Sequence, residues 1–272
     1  GTRLARSLSF GNIRFPSLAM KVEEEEEEAV DPEMLALQSE NDASVEAVLA
    51  VIESEGWEHV TRKSGVVVVR KFMPPPPRSP SSSSRSERGV VDEAAAAKFA
   101  CVKATGTLDA EASEVFSLFL DNERVHEYND NCRVVRDLER LSGDTKVSWA
   151  ATPKYGPFKA RDFVTVVHYR TLDDGTMVVI NRAVEHSSAR RGKKYVRAEI
   201  LIASNIMRPN REDPTKTDFV SVTHINPGGI ADSTLGAKVV NKLCAKAPVN
   251  LLLCLEKAAN SPPVPKGTKV AA

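Results

Sequence analysis

The sequence predicts an α+β domain: a strongly curved antiparallel sheet of about nine strands wrapped around a long C-terminal helix. Three observations carry this. Strand-like runs follow one another from Cys132 to Ile225, separated only by short segments rich in Gly, Pro and Asp. Short connections make hairpins, and hairpins make antiparallel pairs. The stretch Asp218–Ala259 then switches from strand to helix periodicity across Asn226-Pro227-Gly228-Gly229. Proline removes a ladder donor and paired glycines permit positive φ, so the strand stops and the chain turns there. Beyond the turn, Leu235, Val239 and Leu243 are spaced by four, with Gly236, Val240 and Cys244 beside them, and Asp232 and Ser233 suit the helix start. Pro248 kinks or restarts that helix, and Leu251, Leu252, Leu253 and Leu255 continue its apolar character.

From the N-terminus, residues 1–31 read as a disordered tail, first basic and then acidic. Arg3, Arg6, Arg14 and Lys21 occur with no acid before Glu23, and Glu23–Glu28 is an acidic run. The basic part also has the composition of an organellar transit peptide. Pro32 to Glu55 reads as helix, with an N-cap at Asp42 or Ser44, Val45, Val48, Leu49 and Ile52 on one face, and Gly56 as its stop. Two strands follow, Trp57–Arg62 and Val66–Phe72, joined by Ser64-Gly65. The Pro/Ser stretch at 74–94 cannot pack as a core element and reads as a disordered insertion between strands. Phe99–Thr107 is a third strand. Asp109–Asn131 is helical, burying Ala112, Val115, Phe116, Phe119 and Leu120. The remaining strands are Cys132–Leu138, Thr145–Ala151, Asp162–Thr171, Met177–Val184, Tyr195–Asn205 and Phe219–Ile225. Residues 261–272 form a second disordered tail, which leaves 32–260 as one domain.

The 272 residues carry 37 basic and 37 acidic side chains, a balance that argues against a nucleic-acid partner. No run of about 18 apolar residues is present to span a membrane. The four cysteines form no CxxC pair and fit no zinc or disulfide framework, so they read as free thiols in a reducing compartment. No metal or cofactor is indicated.

Four places along the chain are similar to the START family, the steroidogenic acute regulatory protein-related lipid-transfer domains. Trp57-Glu58-His59-Val60 with Val66–Arg70 resembles the opening strand pair. Glu127-Tyr128-Asn129 sits where the family carries Trp-Asp or Trp-Asn. Arg161-Asp162-Phe163-Val164 resembles the RDF/RDY strand start, and His224–Gly229 resembles the Asn-Pro-Gly-Gly turn before the last helix. The resemblance runs from about Trp57 to Ala259. It implies a helix-grip fold that encloses an apolar tunnel for a single lipid, phospholipid or sterol-like, with no cofactor. It also implies a monomer with transient membrane contact, located in the cytoplasm at membrane surfaces, or in an organelle if the basic N-terminus is a transit peptide.

The resemblance also implies site residues. In choline-binding members an aromatic cage holds the head group. Trp149 falls at one cage position, Phe163 at a second, and Leu201, which is not aromatic, at the third. Arg124 lies near the arginine that holds phosphate. Val239 and Leu243 of the last helix complete the expected ligand contacts. The loop Thr152–Ala160, with Tyr155 and Phe158, is the expected lid and membrane contact. At the position of the sterol-binding members' basic residue stands Val167, and His168 beside it faces the other way. Each residue also has a plainer reading. Trp149 and Phe163 serve equally as core aromatics, Arg161-Asp162 as a structural ion pair or turn contact, and His224 as a core histidine.

The function expected is therefore a non-enzymatic lipid carrier. Two alternatives stay open: a regulatory lipid sensor without transfer, and a hydrolase or cyclase on the same fold. The sequence holds no GxSxG or HExxH for the latter.

Overall fold

The computed structural model describes residues 31–74, 97–156, 158–244 and 247–262, with Ile230, Asp232, Leu243 and Cys244 described by backbone alone. The expected tails and the Pro/Ser insertion therefore lie almost wholly outside the described residues. The strands are β1 Glu58–Lys63, β2 Val66–Phe72, β3 Ala100–Leu108, β4 Val134–Arg140, β5 Thr145–Ala151, β6 Arg161–Thr171, β7 Met177–Ala183, β8 Val196–Arg197, β9 Glu199–Pro209 and β10 Thr217–Asn226. The helices are α1 Pro32–Glu53, α2 Ala112–Leu120, α3 Val125–Tyr128, α4 Thr234–Cys244 and α5 Ala247–Ala259.

One sheet runs in the order β1-β2-β3-β10-β9-β7-β6-β5-β4, antiparallel throughout, and the short β8 pairs in parallel with the start of β6. The sheet has two unlike faces. Its curvature shows in what shares a cluster on the inner one. Val66 and Val68 of β2 pack in the same apolar cluster as Val167 of β6. A flat sheet would hold β2 and β6 about 24 Å apart, at roughly 4.8 Å per strand. The cluster forms because α2, α3 and α5 fill the concavity, with Val115, Leu118, Tyr128, Leu252 and Leu255 at its centre. Helix α5 comes so close to β3 that a Cβ on Gly106 would stand 2.9 Å from Leu252 Cδ2.

The outer face is sealed by α1. Val45 and Val48 pack there against Ile180, Ile202, Ile206 and Val222. Asp31 caps the helix through Glu33 N at 2.9 Å, with Pro32 in the first turn. At its other end Lys103 Nζ donates to the Ile52 carbonyl at 2.7 Å and Lys71 Nζ to that of Glu55 at 2.7 Å. These cations meet the carbonyl end of the helix, where they are favoured, and both lie over the Trp57 ring.

Several expected elements are corrected. Helix α1 is continuous through Asp42 and Ser44, because Asp31 caps it and Asp42 instead pairs with Arg170 on the sheet. The expected helix 109–131 is broken: α2 stops at Leu120, Asp121 is extended, and a 3-10 turn Asn122–Arg124 leads into α3. Within α2, Ala112 and Val115 are buried and Phe116 and Phe119 pack against the core as expected, but Leu120 is exposed and Leu118 is buried in its place. The expected strand 195–205 is divided at Ala198 into β8 and β9. Pro248 does restart the last helix, so α4 and α5 are separate.

Candidate functional site

Residues directly opposite each other on antiparallel strands point to the same face. The registers therefore trace rows across the inner face. One row runs Lys146, Val167, Asn181, Ala203, Thr223, Val102 from β5 to β3. The next runs Tyr169, Val179, Asn205, Ser221, Ala104, Val68 from β6 to β2. On the opposite side of the first row lie Ser148, Thr165 and Ala183, and beyond them Ala150 and Phe163.

The centre of this face differs from everything around it. Ala150, Phe163, Asn181, Ala183, Ala203, Asn205 and Thr223 stand mid-sheet, yet they keep partial exposure. On the outer face of the same strands Val164, Val166, Ile180, Ile202, Ser204 and Val222 are all buried. Aromatic and branched side chains of α2 cover one end of the face and α5 covers β2 and β3. The central strip is lined instead by alanines, hydroxyls and amides, which leave room above the sheet. A concave, mostly apolar space with a few polar groups is the usual form of a small-molecule site.

Helix α4 lines a groove with the β1–β2 edge and α5, where Lys238, Asn241 and Lys242 meet Arg70, Phe72 and Leu253, and two anchors set its position. At its C-terminal end, Asn241 Oδ1 accepts from Ala100 N at 3.0 Å and Asn241 Nδ2 donates to the Lys98 carbonyl at 3.0 Å. At its N-terminal end the Asn226–Gly229 turn is held by Arg161, whose Nε donates to the Pro227 carbonyl at 3.2 Å and whose Nη2 donates to that of Gly228 at 3.4 Å. Gly228 has φ +63°, and a Cβ there would stand 3.0 Å from the Arg197 carbonyl. Positive φ and close approach both call for glycine.

Beneath that turn lies a buried ion pair. Arg197 Nε and Nη2 donate to the two carboxylate oxygens of Asp162 at 3.0 and 2.9 Å, and Trp149 Nε1 donates to Asp162 Oδ2 at 3.0 Å. Burial pushes the Asp162 carboxyl up, but the hydrogen bonds from Arg197 and Trp149 and the Arg197 charge outweigh it and hold the group below the ordinary aspartate value. Arg197 Nη2 also donates to the Ala189 carbonyl at 2.8 Å, which ties the following hairpin loop to the same node.

The sequence-predicted site residues are not all brought together. Phe163 is on the inner face, in the central strip. Trp149 pairs across the sheet with Val164, packs with Val147 and Val166, and lies edge-on to Tyr195, all on the outer face. Trp149 and Phe163 therefore do not share a cage, because one residue of register separates opposite faces of a strand. Leu201 is the residue left without a partner where the β9–β10 register shifts between His224 and Ile225. Arg124 is committed elsewhere: its guanidinium holds Glu127 Oε2 at 2.7 Å and the Ala258 carbonyl, at the end of α5, at 2.7 Å. Val239 points outward on α4, with Leu235 beside it, and the side chain of Leu243 lies outside the described residues. Tyr155 and Phe158 pair through their backbones. Tyr155 is exposed and donates its hydroxyl to Asn131 Oδ1, whereas Phe158 is buried under the Arg161 guanidinium and so is not a surface contact.

Sequence reasoning missed Thr165, Asn181 and Asn205. The signal is present in the strand alternation, which sets Ser221 and Thr223 on the face of Phe219. Polar residues at inward positions of otherwise apolar strands mark a face that meets something other than core.

No helix among the described residues is long and apolar enough to cross a membrane. Comparison with known proteins gives a consistent picture. The START domain family model matches residues 38–247. Steroidogenic acute regulatory protein, mitochondrial, from Danio rerio is 28% identical over 152 residues, which is 54% of this chain and 50% of that protein. StAR-related lipid transfer protein 7, mitochondrial, from Mus musculus is 27% identical over 123 residues, 44% of this chain and 33% of that protein. These matches span half or less of the relatives' own lengths. Among solved structures, human StAR-related lipid transfer protein 5 superposes with a TM-score of 0.65 at 20% identity, over 84% of this chain and 97% of that one. Human STARD10 superposes with a TM-score of 0.63 at 19% identity, over 80% of this chain and 79% of that one.

Proposed function

The chain belongs to the START domain family, and from that premise we propose that it is a non-enzymatic carrier holding one lipid between the inner face of its sheet and helix α4. The observation that carries this reading is the contrast between the two faces of β6, β7 and β9. The outer face is packed shut, whereas the inner strip around Phe163, Asn181 and Ala203 keeps partial exposure. Each methylene of a lipid moved from water into such a space contributes about 0.8 kcal/mol, so a single chain or ring system is held firmly. The relatives named as lipid transfer proteins support the same reading.

In this reading the lid is α4 with its turn, and the lipid enters when the Arg161 contacts to that turn release. Membrane contact falls on the outward side of α4, where Leu235 and Val239 are exposed beside Lys238 and Lys242. Residues at spacings of three, four and seven share one helical face. An apolar stripe flanked by lysines suits the interface of an anionic bilayer. Tyr155 on the neighbouring loop adds an exposed aromatic. The lipid-binding unit is residues 32–260, acting as a monomer at membrane surfaces. Two relatives whose names include "mitochondrial" support the organellar alternative for its location.

The test is native mass spectrometry of the purified chain after incubation with a mixed-lipid membrane extract, followed by transfer between vesicles. The expected result is a one-to-one lipid adduct and lipid movement that needs the protein. A folded protein with no adduct would remove the carrier reading.

A further inference from the structure

We propose that the protein associates with itself head to tail: the acidic stretch before and at the start of α1 in one copy seats in the cationic groove at the β1–β2 edge of the next. The inference goes beyond the carrier reading and does not depend on it.

The first ground is the groove itself. It lies between the β1–β2 edge and helices α4 and α5 and has a volume of about 780 Å³. Lys63, Arg70, Lys238 and Lys242 line it, with Phe72 and Leu253 as its large apolar side chains. Arg70 is paired with Glu58 at 3.2 Å. Lys63, Lys238 and Lys242 have no acidic partner among the described residues. Phe72 is 48% exposed and Leu253 42%. Apolar side chains left open inside a cationic concavity fit a partner that is both acidic and apolar. Strand β1 ends the sheet, so its outer backbone is free to pair with an extended segment.

The second ground is that the same chain carries the complement. Glu23–Glu28 places six carboxylates in a row, Ala29-Val30 follows, and Asp31 and Glu33 add two acids at the start of α1. On that first turn Met34 is 40% exposed and Leu35 52%. The stretch faces away from its own groove. Helix α1 crosses the outer face from β3, where Lys103 Nζ donates to the Ile52 carbonyl at 2.7 Å, to β5, where Asn41 Nδ2 donates to Thr145 Oγ1 at 3.1 Å. Asp31 lies about 15 Å farther along the helix. Six strands stand between β5 and β1 in the sheet order. Glu28 is within about 10 Å of Asp31 by chain length, which keeps the end of the run on the β5 side. The groove it fills is therefore that of a second copy. Stretch and groove are different surfaces, so the contact is heterologous and builds short chains rather than a closed pair. One segment in one groove is a small interface, which sets a dissociation constant of about 10–100 μM. Lys238 and Lys242 also border the Leu235–Val239 stripe, so an anionic bilayer that takes them releases single copies.

The experiment is sedimentation velocity on the full chain over a concentration series from about 5 to 500 μM in low salt. The expected result is a sedimentation coefficient that rises with concentration, and an association about tenfold weaker in about 0.5 M salt, where the charges are screened. Lys63→Glu in the groove, and Glu24→Lys with Glu27→Lys in the acidic run, should each weaken association about tenfold. Phe72→Ser should weaken it about fivefold. Lys154→Glu, which lies outside the groove, should leave it unchanged. Mixing the Lys63→Glu chain with the Glu24→Lys, Glu27→Lys chain should restore association, because the intact run of the first fits the intact groove of the second. A protein that sediments as a monomer at every concentration overturns the inference. So does a charge-reversed run that associates like the unaltered chain, or a mixture that stays monomeric. If Lys63→Glu lowers flotation with phosphatidylserine vesicles about tenfold and leaves association unchanged, the groove faces a bilayer and the inference also falls. Lipid occupancy by native mass spectrometry tests the carrier reading separately and should be the same in Lys63→Glu as in the unaltered chain.

Discussion

Arg161 Nε donates to the carbonyl of Pro227 at 3.2 Å, so the first residue of β6 holds the turn that launches the C-terminal helices. Two of the sequence motifs that carry the resemblance, 66 positions apart, thus meet in one contact. Hydrogen bonds from a charged donor contribute about 1.5–3 kcal/mol. Arg161→Ala should therefore lower stability by roughly that amount. It should also raise hydrogen exchange in residues 229–244 more than in β3 or β10. Arg161→Lys keeps the charge but loses the fork, and should fall between. Uniform exchange across the chain would count against a hinge at this turn.

The contact between Gly106 and Leu252 sets how deeply α5 sits in the sheet. A methyl at Gly106 would stand 2.9 Å from Leu252 Cδ2, inside van der Waals contact. Gly106→Ala should cost about 1–3 kcal/mol in urea denaturation. Paired with Leu252→Ala, which alone opens a cavity costing about 2–5 kcal/mol, the double variant should be more stable than the sum of the two single losses predicts. Simple additivity would mean that helix and strand do not press on each other there.

Acid stability should report the Asp162–Arg197 pair. The folded carboxyl lies below its ordinary value near 3.8, because the Arg197 and Trp149 hydrogen bonds outweigh burial. Its contribution is therefore complete above that value and is lost as pH falls through the folded one. Asp162→Asn should flatten this part of the stability-against-pH curve. At neutral pH it should cost about 3–5 kcal/mol, because Arg197 stays buried without its counter-charge. An unchanged acid limb would show that other carboxylates govern it.

Much of this architecture was legible in the sequence, and the exceptions have physical causes. Short hairpin connections give away antiparallel strands, and Asn226–Gly229 gives away the start of the last helix, because proline and paired glycines leave few backbone choices. The face of Trp149 was not legible. Aligning it with a family cage fixes its place along β5 only to within a residue, and one residue decides the face. Asp162 could be read as an ion-pair residue, but its partner Arg197 lies 35 positions away and is brought near only by the parallel β6–β8 pairing. The amphipathic pattern of α4 shows that the helix has two faces without telling which one is covered. Leu235, Val239 and Leu243 looked like the buried stripe, yet the structure turns Leu235 and Val239 outward, because Asn241 binds the start of β3.

That outward stripe yields the last prediction. Leu235 is 74% exposed and Val239 39%, and Lys238 and Lys242 stand beside them. Leu235→Glu changes no packed contact, so stability should stay within about 0.5 kcal/mol. A carboxylate at that position would be repelled by an anionic surface and would resist entering the acyl boundary. Co-flotation with vesicles containing phosphatidylserine should fall about tenfold, and so should the rate of lipid transfer, while lipid already loaded stays bound. Lys238→Glu should weaken flotation in low salt and less so in high salt, since only its electrostatic part is screened. Transfer that continues unchanged in Leu235→Glu would move the membrane contact away from α4, to the loop that carries Tyr155. Transfer lost together with occupancy would instead mean that this face of α4 contacts the lipid rather than the bilayer.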